Sequence, residues 1–311
     1  MQEKSAFRQK KKTSVNWQLK SGLEAWIQLK KVQVLLSTFN GGKFLKSLMD
    51  SLLNQDYPNI EILVRDDGST DDTPILLEEY TSRYSNIRVV YGENLGVMGS
   101  FFELLKFSSS EAEYIAFCDQ DDVWLKDKIS RAVEILDQYP KEDSLLYCSR
   151  TTLVDENLNI IGQYEIPKRG PSFNNALVQN IATGCTIVIN KISRELLMKE
   201  IPKTVGMHDW WMYLVVSAFG KVIYDTESKI LYRQHSSNVI GYKTNTIARW
   251  VARIKRFLRS GSLCLVTEQA KEFKRIYDSL LPKDKKVVLD RFIDDRKSYV
   301  DRLRYSFSSE V

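Results

Sequence analysis

Three carboxylates, Asp119, Asp121 and Asp122, follow directly on the apolar run Tyr114–Cys118. Like charges this close resist ionisation unless a cation or hydrogen-bond donors offset them. A hard divalent cation such as Mg²⁺ or Mn²⁺ suits them, because it takes one or two carboxylates and keeps positions for phosphate oxygens and water. The competing reading is a solvated acidic loop capping a helix that starts near Leu125. A second group, Asp66-Asp67-Gly68-Ser69, also ends an apolar run. It is either an Asx-type turn with a helix cap or a carboxylate that accepts a base N–H or a ribose hydroxyl. A third, His208-Asp209-Trp210-Trp211, opens an apolar stretch. Asp209 there is either a helix cap or a general base whose pKa is set by apolar walls. Arg233-Gln234-His235 ends the last expected strand, where a lone His is most often a packed or surface residue.

Other chemistries are excluded. No GxGxxG follows the first strand, and the chain has no GxxxxGK[ST], GxSxG or HExxH. That removes the dinucleotide fingerprint, the P-loop, the nucleophile elbow and the zincin helix. His208 and His235 are the two histidines, so a His-rich zinc site is impossible.

These groups need elements that bring them together. Val32–Thr38 is a β-type run closed by the loop Phe39-Asn40-Gly41-Gly42. Apolar residues at helical spacing predict a helix over 43–54. Strands over 60–64, 87–91, 114–118 and 145–149 alternate with helices over 73–83, 98–107 and 125–138. Alternation with short connections predicts a parallel, doubly wound sheet over 32–150, in which ligands sit beyond the carboxyl ends of the strands. Asn40, Asp66, Asp67 and Asp119–Asp122 all fall at such ends, so they converge on one crevice. Residues 151–185 look like loops and short strands. A strand over 186–190, a buried helix over 208–219 and strands over 221–224 and 229–232 follow. From 246 onward the pattern is helical. Ile247, Trp250, Val251, Ile254, Phe257 and Leu258 form an apolar stripe ringed by Arg and Lys.

A length of 311 residues suits two units or one large α/β domain with an appendage. With 43% hydrophobic and 27% charged residues the chain is globular, not disordered. The net charge of +5 is too mild to imply nucleic acid. Its distribution is uneven. Residues 1–31 hold eight Lys/Arg against Glu3 and Glu24, and 241–260 hold six and no acid, so the segment between them is net negative. Basic ends suit an anionic surface and an acidic middle suits a cation. Cys118, Cys148, Cys185 and Cys264 lack CxxC spacing and read as reduced core thiols. The longest mainly apolar stretch, 210–219, is half the length of a spanning helix, and no signal-peptide pattern opens the chain. The expected place is the cytosol or the cytosolic face of a membrane.

Five segments taken together carry a resemblance. VLLSTFNGGKFL near 34–45 leads to SLLNQDYPNIEILVRDDGSTDDT at 51–73. ENLGVMGSF at 93–101, YIAFCDQDDVWLKDK at 114–128 and NIATGCTIVIN at 180–190 follow. The last comprises HDWWMYLVVSAFG and YRQHSSNVIG within 208–241. In this order the sequence resembles the family 2 glycosyltransferases with the GT-A fold, particularly the bacterial rhamnosyltransferase-like branch. The resemblance implies an α/β fold with a mostly parallel central sheet flanked by helices. It implies a basic N-terminal extension at 1–31 and a GT-A domain at 32–241, with a nucleotide-binding half at about 32–150 and an acceptor half at about 151–241. A helical, basic C-terminal region at 242–311 follows.

By that resemblance Ser37, Thr38, Phe39 and Asp67 hold the nucleotide base, and Asn94 and Gly96 lie near the nucleotide. Asp119 and Asp121 match the Asp-x-Asp motif that binds the diphosphate through Mg²⁺ or Mn²⁺, with Asp122 adjacent and less firmly matched. Gly184 lies near the donor sugar. Asp209 matches the catalytic base, and His235 a polar position that reaches the metal or phosphate in some relatives. The implied activity is an inverting, metal-dependent transfer to a growing cell-surface polysaccharide or a lipid-linked glycan. The branch suggests dTDP-L-rhamnose as donor, with a UDP-sugar open. A non-catalytic nucleotide-sugar-binding module and a sugar nucleotidyltransferase are the alternatives. For the latter, Asn40-Gly41-Gly42-Lys43 is a faint version of the required Gly-rich loop.

Two features depart from the family. The chain has 31 residues before Val32, a basic membrane-contacting arm or a functionless extension. His208 stands where an acidic residue is common, and a nearby imidazolium would favour ionised Asp209. The basic stripe at 247–259 is either an interfacial helix on an anionic membrane or a helix packed on the core.

Overall fold

Val32–Thr38, β1, is apolar on both faces because both faces are covered. Leu35 joins one core and Val34 and Leu36 the other, as the two-residue period of a strand dictates. The computed structural model describes residues 29–235 and 261–295. After β1 come α1 (Gly42–Leu53), β2 (Ile60–Asp66), α2 (Thr73–Arg83), β3 (Ile87–Tyr91), α3 (Gly96–Phe107) and β4 (Tyr114–Cys118). Next are β5 (Val123–Trp124), α4 (Lys128–Leu136), β6 (Leu145–Ser149), β7 (Thr152–Val154), β8 (Ile160–Gln163) and α5 (Phe173–Val178). A 3₁₀ turn at Gly184–Thr186 leads to β9 (Val188–Asn190), α6 (Lys191–Leu197), α7 (His208–Phe219), β10 (Lys221–Asp225) and β11 (Ile230–Arg233). The helices α8 (Gly261–Tyr277) and α9 (Lys283–Asp294) close the described chain.

Seven strands form the central sheet in the order β10-β6-β9-β4-β1-β2-β3. The pairs β1–β2, β1–β4, β2–β3 and β6–β10 are parallel, while β9 runs antiparallel between β4 and β6. The sheet is thus mostly parallel, as expected, with one reversed strand. A second sheet, β5-β11-β7-β8, carries β11 toward the acidic turn.

Local departures from the expected elements have plain causes. The helix expected over 125–138 begins only at Lys128, because Val123 and Trp124 pair with β11. The solvated loop capping a helix at Leu125 is therefore not formed. The strand expected over 186–190 starts at Val188, after the 3₁₀ turn. Residues 151–185 also contain α5, whose six residues are too few to show a helical period.

Two cores flank the sheet. One joins the buried faces of α1 and α4 to the sheet, with Leu45, Leu48, Ile129 and Val133. The other gathers α3, α5, α7, α8 and α9. α7 is buried almost all round, which suits its uniformly apolar sequence. Trp211 and Phe219 of α7 meet Phe273 and Tyr277 of α8 with ring centroids 5.4–6.2 Å apart. Ala270, Leu289 and Phe292 join the same core, so α8 and α9 pack on the sheet and its helices. The stripe at 247–259 lies outside the described residues, as do residues 1–28. Cys118, Cys148 and Cys185 are buried free thiols, as expected. Among the described residues no helix is long and apolar enough to cross a membrane.

Candidate active site

The parallel register places the ends of β1, β2 and β4 side by side, and the expected residues gather there. Thr38 Oγ1 donates to Asp66 Oδ1 at 2.9 Å, and Ser69 donates to the same carboxylate through Oγ at 2.6 Å and N–H at 2.9 Å. Asp66 therefore closes the Asx-type turn. Asp67 is the carboxylate that points elsewhere. It is buried, pairs with Arg65, and accepts the Leu95 N–H at 3.0 Å. It ties the end of β2 to the Asn94–Gly96 segment, where Asn94 Oδ1 accepts the Gly96 N–H at 2.8 Å. Gly96 opens α3 at φ +68°, a conformation that favours glycine. Ser37 Oγ donates to Ser100 Oγ on α3 at 2.7 Å. Phe39 holds its ring exposed.

The turn after β4 splits its carboxylates between core and cleft. Asp122 is fully buried and its Oδ1 accepts the Arg233 N–H at 3.0 Å. Its carboxyl is pushed well up by burial and by Asp121 and Asp119. Asp121 lies toward β11, with Oδ2 2.8 Å from His235 Nε2. Among the described residues no hydrogen-bond donor reaches the partly buried Asp119 carboxylate, whose pKa is pushed up to about 8 by burial and by Asp121 and Asp209. Carboxylate oxygens of Asp119 and Asp122 and Cys185 Sγ all lie within 4.8 Å of one another. The clustered carboxylates have the chemistry to suit a hard dication, for which Asp119, Asp121 and His235 are the candidate donors.

Asp209 stands at the start of α7, opposite this turn. Its Oδ1 accepts the Trp210 N–H at 2.7 Å and its Oδ2 the Gly184 N–H at 3.2 Å. It therefore holds the loop that precedes β9 rather than only capping its own helix. Burial pushes its pKa up to about 6, against the opposing hydrogen bonds from Trp210, Asn180 and Gly184. A Cβ at Gly184 would lie 3.0 Å from His208 Nε2 and 3.5 Å from Asp209 Cβ, so a larger residue there would force a neighbour to shift.

His208 corrects one expectation. It is buried with neither ring nitrogen hydrogen-bonded among the described residues, and it stacks on Phe101 at 4.1 Å. Burial pushes its pKa down to about 3, so it is neutral and supplies no imidazolium beside Asp209.

Pattern reading missed Arg233. Its Nε donates to the Asp121 carbonyl at 2.8 Å and its Nη2 to Ser47 Oγ at 3.1 Å, so it clamps the acidic turn to α1. A lone Arg at a strand end carries no spacing signal. Asn180, whose side chain hydrogen-bonds Asp209, likewise carries no spacing signal of its own. The loop after β1 offers no phosphate cradle of the nucleotidyltransferase kind, because the amides of residues 39–42 are already bonded to side chains.

Residues 33–199 match the family described as glycosyl transferase family 2. The chain belongs to that family. It is a glycosyltransferase, and its sheet and flanking helices are the GT-A fold. It is 30% identical over 233 residues to the dTDP-rhamnosyl transferase RfbG of Shigella flexneri, covering 69% of this chain and 76% of that protein. Other relatives, at 25% identity, are matched over 60% of their own length. Among solved structures, TarS 1-349 of S. aureus in complex with UDP-GlcNAc superposes with a TM-score of 0.61 at 16% identity, covering 90% of this chain and 77% of that one. The mannosyltransferase PcManGT of Pyrobaculum calidifontis, in complex with GDP-Man and Mn²⁺, gives 0.51 at 16% identity over 90% of this chain and 84% of its own.

Proposed function

We propose that this glycosyltransferase moves a sugar, with inversion, from a nucleotide-sugar to a hydroxyl of a cell-surface polysaccharide or lipid-linked glycan. The observation that carries the reading is the buried Asp209 carboxylate, held by two backbone amides and within electrostatic reach of Asp119. A sugar hydroxyl is a poor nucleophile until a base takes its proton, and such help is worth ~10²–10⁴-fold. With its pKa near 6, Asp209 is ionised at neutral pH yet more basic than an exposed aspartate. The hydroxyl proton passes to a free lone pair of Asp209 as the acceptor oxygen attacks the anomeric carbon from the face opposite the leaving diphosphate. No protein nucleophile is needed, and burial raises the thiols of Cys118, Cys148 and Cys185 away from reactivity.

Ser37, Thr38, Phe39, Asp67, Asn94 and Gly96 receive the nucleoside, and Asp119 and Gly184 face the diphosphate and sugar. Asp119, Asp121 and His235 would hold Mg²⁺ or Mn²⁺. When bound, that ion offsets the charge growing on the departing diphosphate. The Mn²⁺ of the Pyrobaculum structure supports the choice of ion. Likeness to the Shigella rhamnosyl transferase supports dTDP-L-rhamnose as donor, and the staphylococcal UDP-GlcNAc complex supports a UDP-sugar as the second candidate. The basic segments at 1–31 and 247–259 favour peripheral contact with an anionic membrane that presents the acceptor.

The test is nucleotide release. Purified protein is incubated with Mg²⁺ or Mn²⁺, membrane extract and each of dTDP-rhamnose, UDP-glucose, UDP-N-acetylglucosamine and GDP-mannose. Release of dTDP alone, abolished by chelation, is expected. Full turnover in chelator refutes the metal site, and pyrophosphate in place of the diphosphate refutes glycosyl transfer.

A further inference from the structure

The acidic turn carries one side chain with no role above. Gln120 lies between Asp119 and Asp121, and its amide faces the backbone of Phe39 on the loop after β1. The Phe39 N–H donates to Gln120 Oε1 at 2.8 Å, and Gln120 Nε2 donates to the Phe39 carbonyl at 3.0 Å. One side chain thus pairs with both main-chain groups of one residue, as a neighbouring strand would. The next three amides of the loop are held as well. Asn40 donates to Ser69 Oγ at 2.8 Å, Gly41 to Thr73 Oγ1 at 2.9 Å and Gly42 to Asp71 Oδ2 at 2.9 Å. Those three partners come from the 69–73 segment. Gln120 is the one of the four that comes from the acidic turn.

Gly41 belongs to the same fit. A Cβ there would lie 2.3 Å from Gln120 Oε1. Its backbone, at φ −98° and ψ 3°, otherwise accepts alanine. The clash would fall on the far end of a flexible side chain, so alanine would displace the Gln120 amide from Phe39.

We infer that Gln120 is a positioning residue that sets the nucleoside-holding loop against the acidic turn, so that the two subsites are built as one piece. The inference rests on the reading that Phe39 and its neighbours receive the nucleoside. Loss of both hydrogen bonds frees Phe39 from the acidic turn and lowers nucleotide affinity about 5- to 30-fold. Because the effect runs through Phe39, it does not need the metal.

The test compares wild type, Gln120→Met, Gly41→Ala and the double variant, all as full chains. Binding of dTDP and UDP is measured by calorimetry with Mn²⁺ and by ligand-observed NMR in EDTA. Mn²⁺ binding alone is measured separately, and melting curves establish that each variant is folded. Both single variants are expected to lose nucleotide affinity by the same factor with and without Mn²⁺. The double variant is expected to lose no more than the weaker single one, and Mn²⁺ binding alone is expected to stay unchanged. Gly41→Ala leaves Gln120 itself intact, so agreement between the two singles excludes a mere side-chain deletion effect. Unchanged affinity in both, a loss seen only with Mn²⁺, or a parallel fall in Mn²⁺ binding overturns the inference. Failure of wild type to bind either nucleotide instead removes the nucleoside reading of the loop, and the inference with it.

Discussion

Asp209→Asn tests two consequences of one burial. The carboxyl is pushed up from 3.8 to about 6, mainly by desolvation. A carboxyl whose folded pKa exceeds its unfolded value binds its proton more firmly in the native state. Its contribution to stability is present below the unfolded pKa and is lost as pH rises through the folded one. The window therefore runs from about pH 4 to about pH 6. At 1.36 kcal/mol per pH unit, the gap amounts to ~3 kcal/mol. At neutral pH the wild-type fold carries that cost and the Asn variant does not. Asn gives up something in return, because its NH₂ must face either the Trp210 or the Gly184 N–H, costing ~1–3 kcal/mol. That loss does not vary with pH, so the slope reports the ionisation of Asp209 together with its charge coupling to Asp119. Urea unfolding in EDTA at pH 4, 5, 6 and 7.5 should show the stability of Asp209→Asn rising relative to wild type by ~3 kcal/mol across the series. Turnover should fall ~10²–10⁴-fold with nucleotide binding nearly intact. In wild type, kcat/KM should drop as pH falls through about 6. Parallel stability curves for the two proteins would refute the burial argument. Wild-type turnover in the variant would remove Asp209 from the base role.

Three further outcomes are expected. Asp121→Ala and His235→Ala should each weaken Mn²⁺ binding, read by electron paramagnetic resonance, since the two side chains meet at 2.8 Å on one side of the acidic turn. The ring signals of His208 should show no titration by NMR between pH 5 and 8, because its pKa is pushed down to about 3. Phe273→Ala should cost ~3–5 kcal/mol in urea unfolding, as it empties the contact between α8 and Trp211 and Phe219 of α7.

Residues 32–118 were legible because their signals are local. Strands with both faces buried appear as continuous apolar runs, and each acidic group sits directly after one. β1, α2, β3, β4 and β6 take the bounds that their periodicity predicts. The second sheet was harder because its strands are short and most are joined by long-range pairing. β5 is two residues that exist only by pairing with β11, over a hundred positions away. The Asp66-Asp67 pair divides its contacts between neighbours, with Asp66 closing the turn and Asp67 reaching Leu95. Only tertiary contacts could assign them. His208 was misjudged for a related reason. Its charge state depends on Phe101 stacking from α3, which no local pattern around residue 208 contains.

The family match ends at residue 199, ten positions before Asp209. The elements that brace Asp209 lie still further on. The Gly206 N–H donates to Gln269 Oε1 at 2.9 Å and the Lys203 N–H to Glu272 Oε1 at 2.6 Å. α8 therefore grips the segment that delivers α7 to the site, while the aromatic cluster behind Trp211 fixes the helix itself. The nucleotide side is built differently, from strand ends and loops whose amides are bonded to one another's side chains. This division suits two demands on one enzyme. Nucleoside and diphosphate are shared by many donors, so their cradle can be a common, locally specified unit. The proton to be removed belongs to the acceptor, and the residue proposed to take it is held by separate elements, α8 and the aromatic cluster behind Trp211.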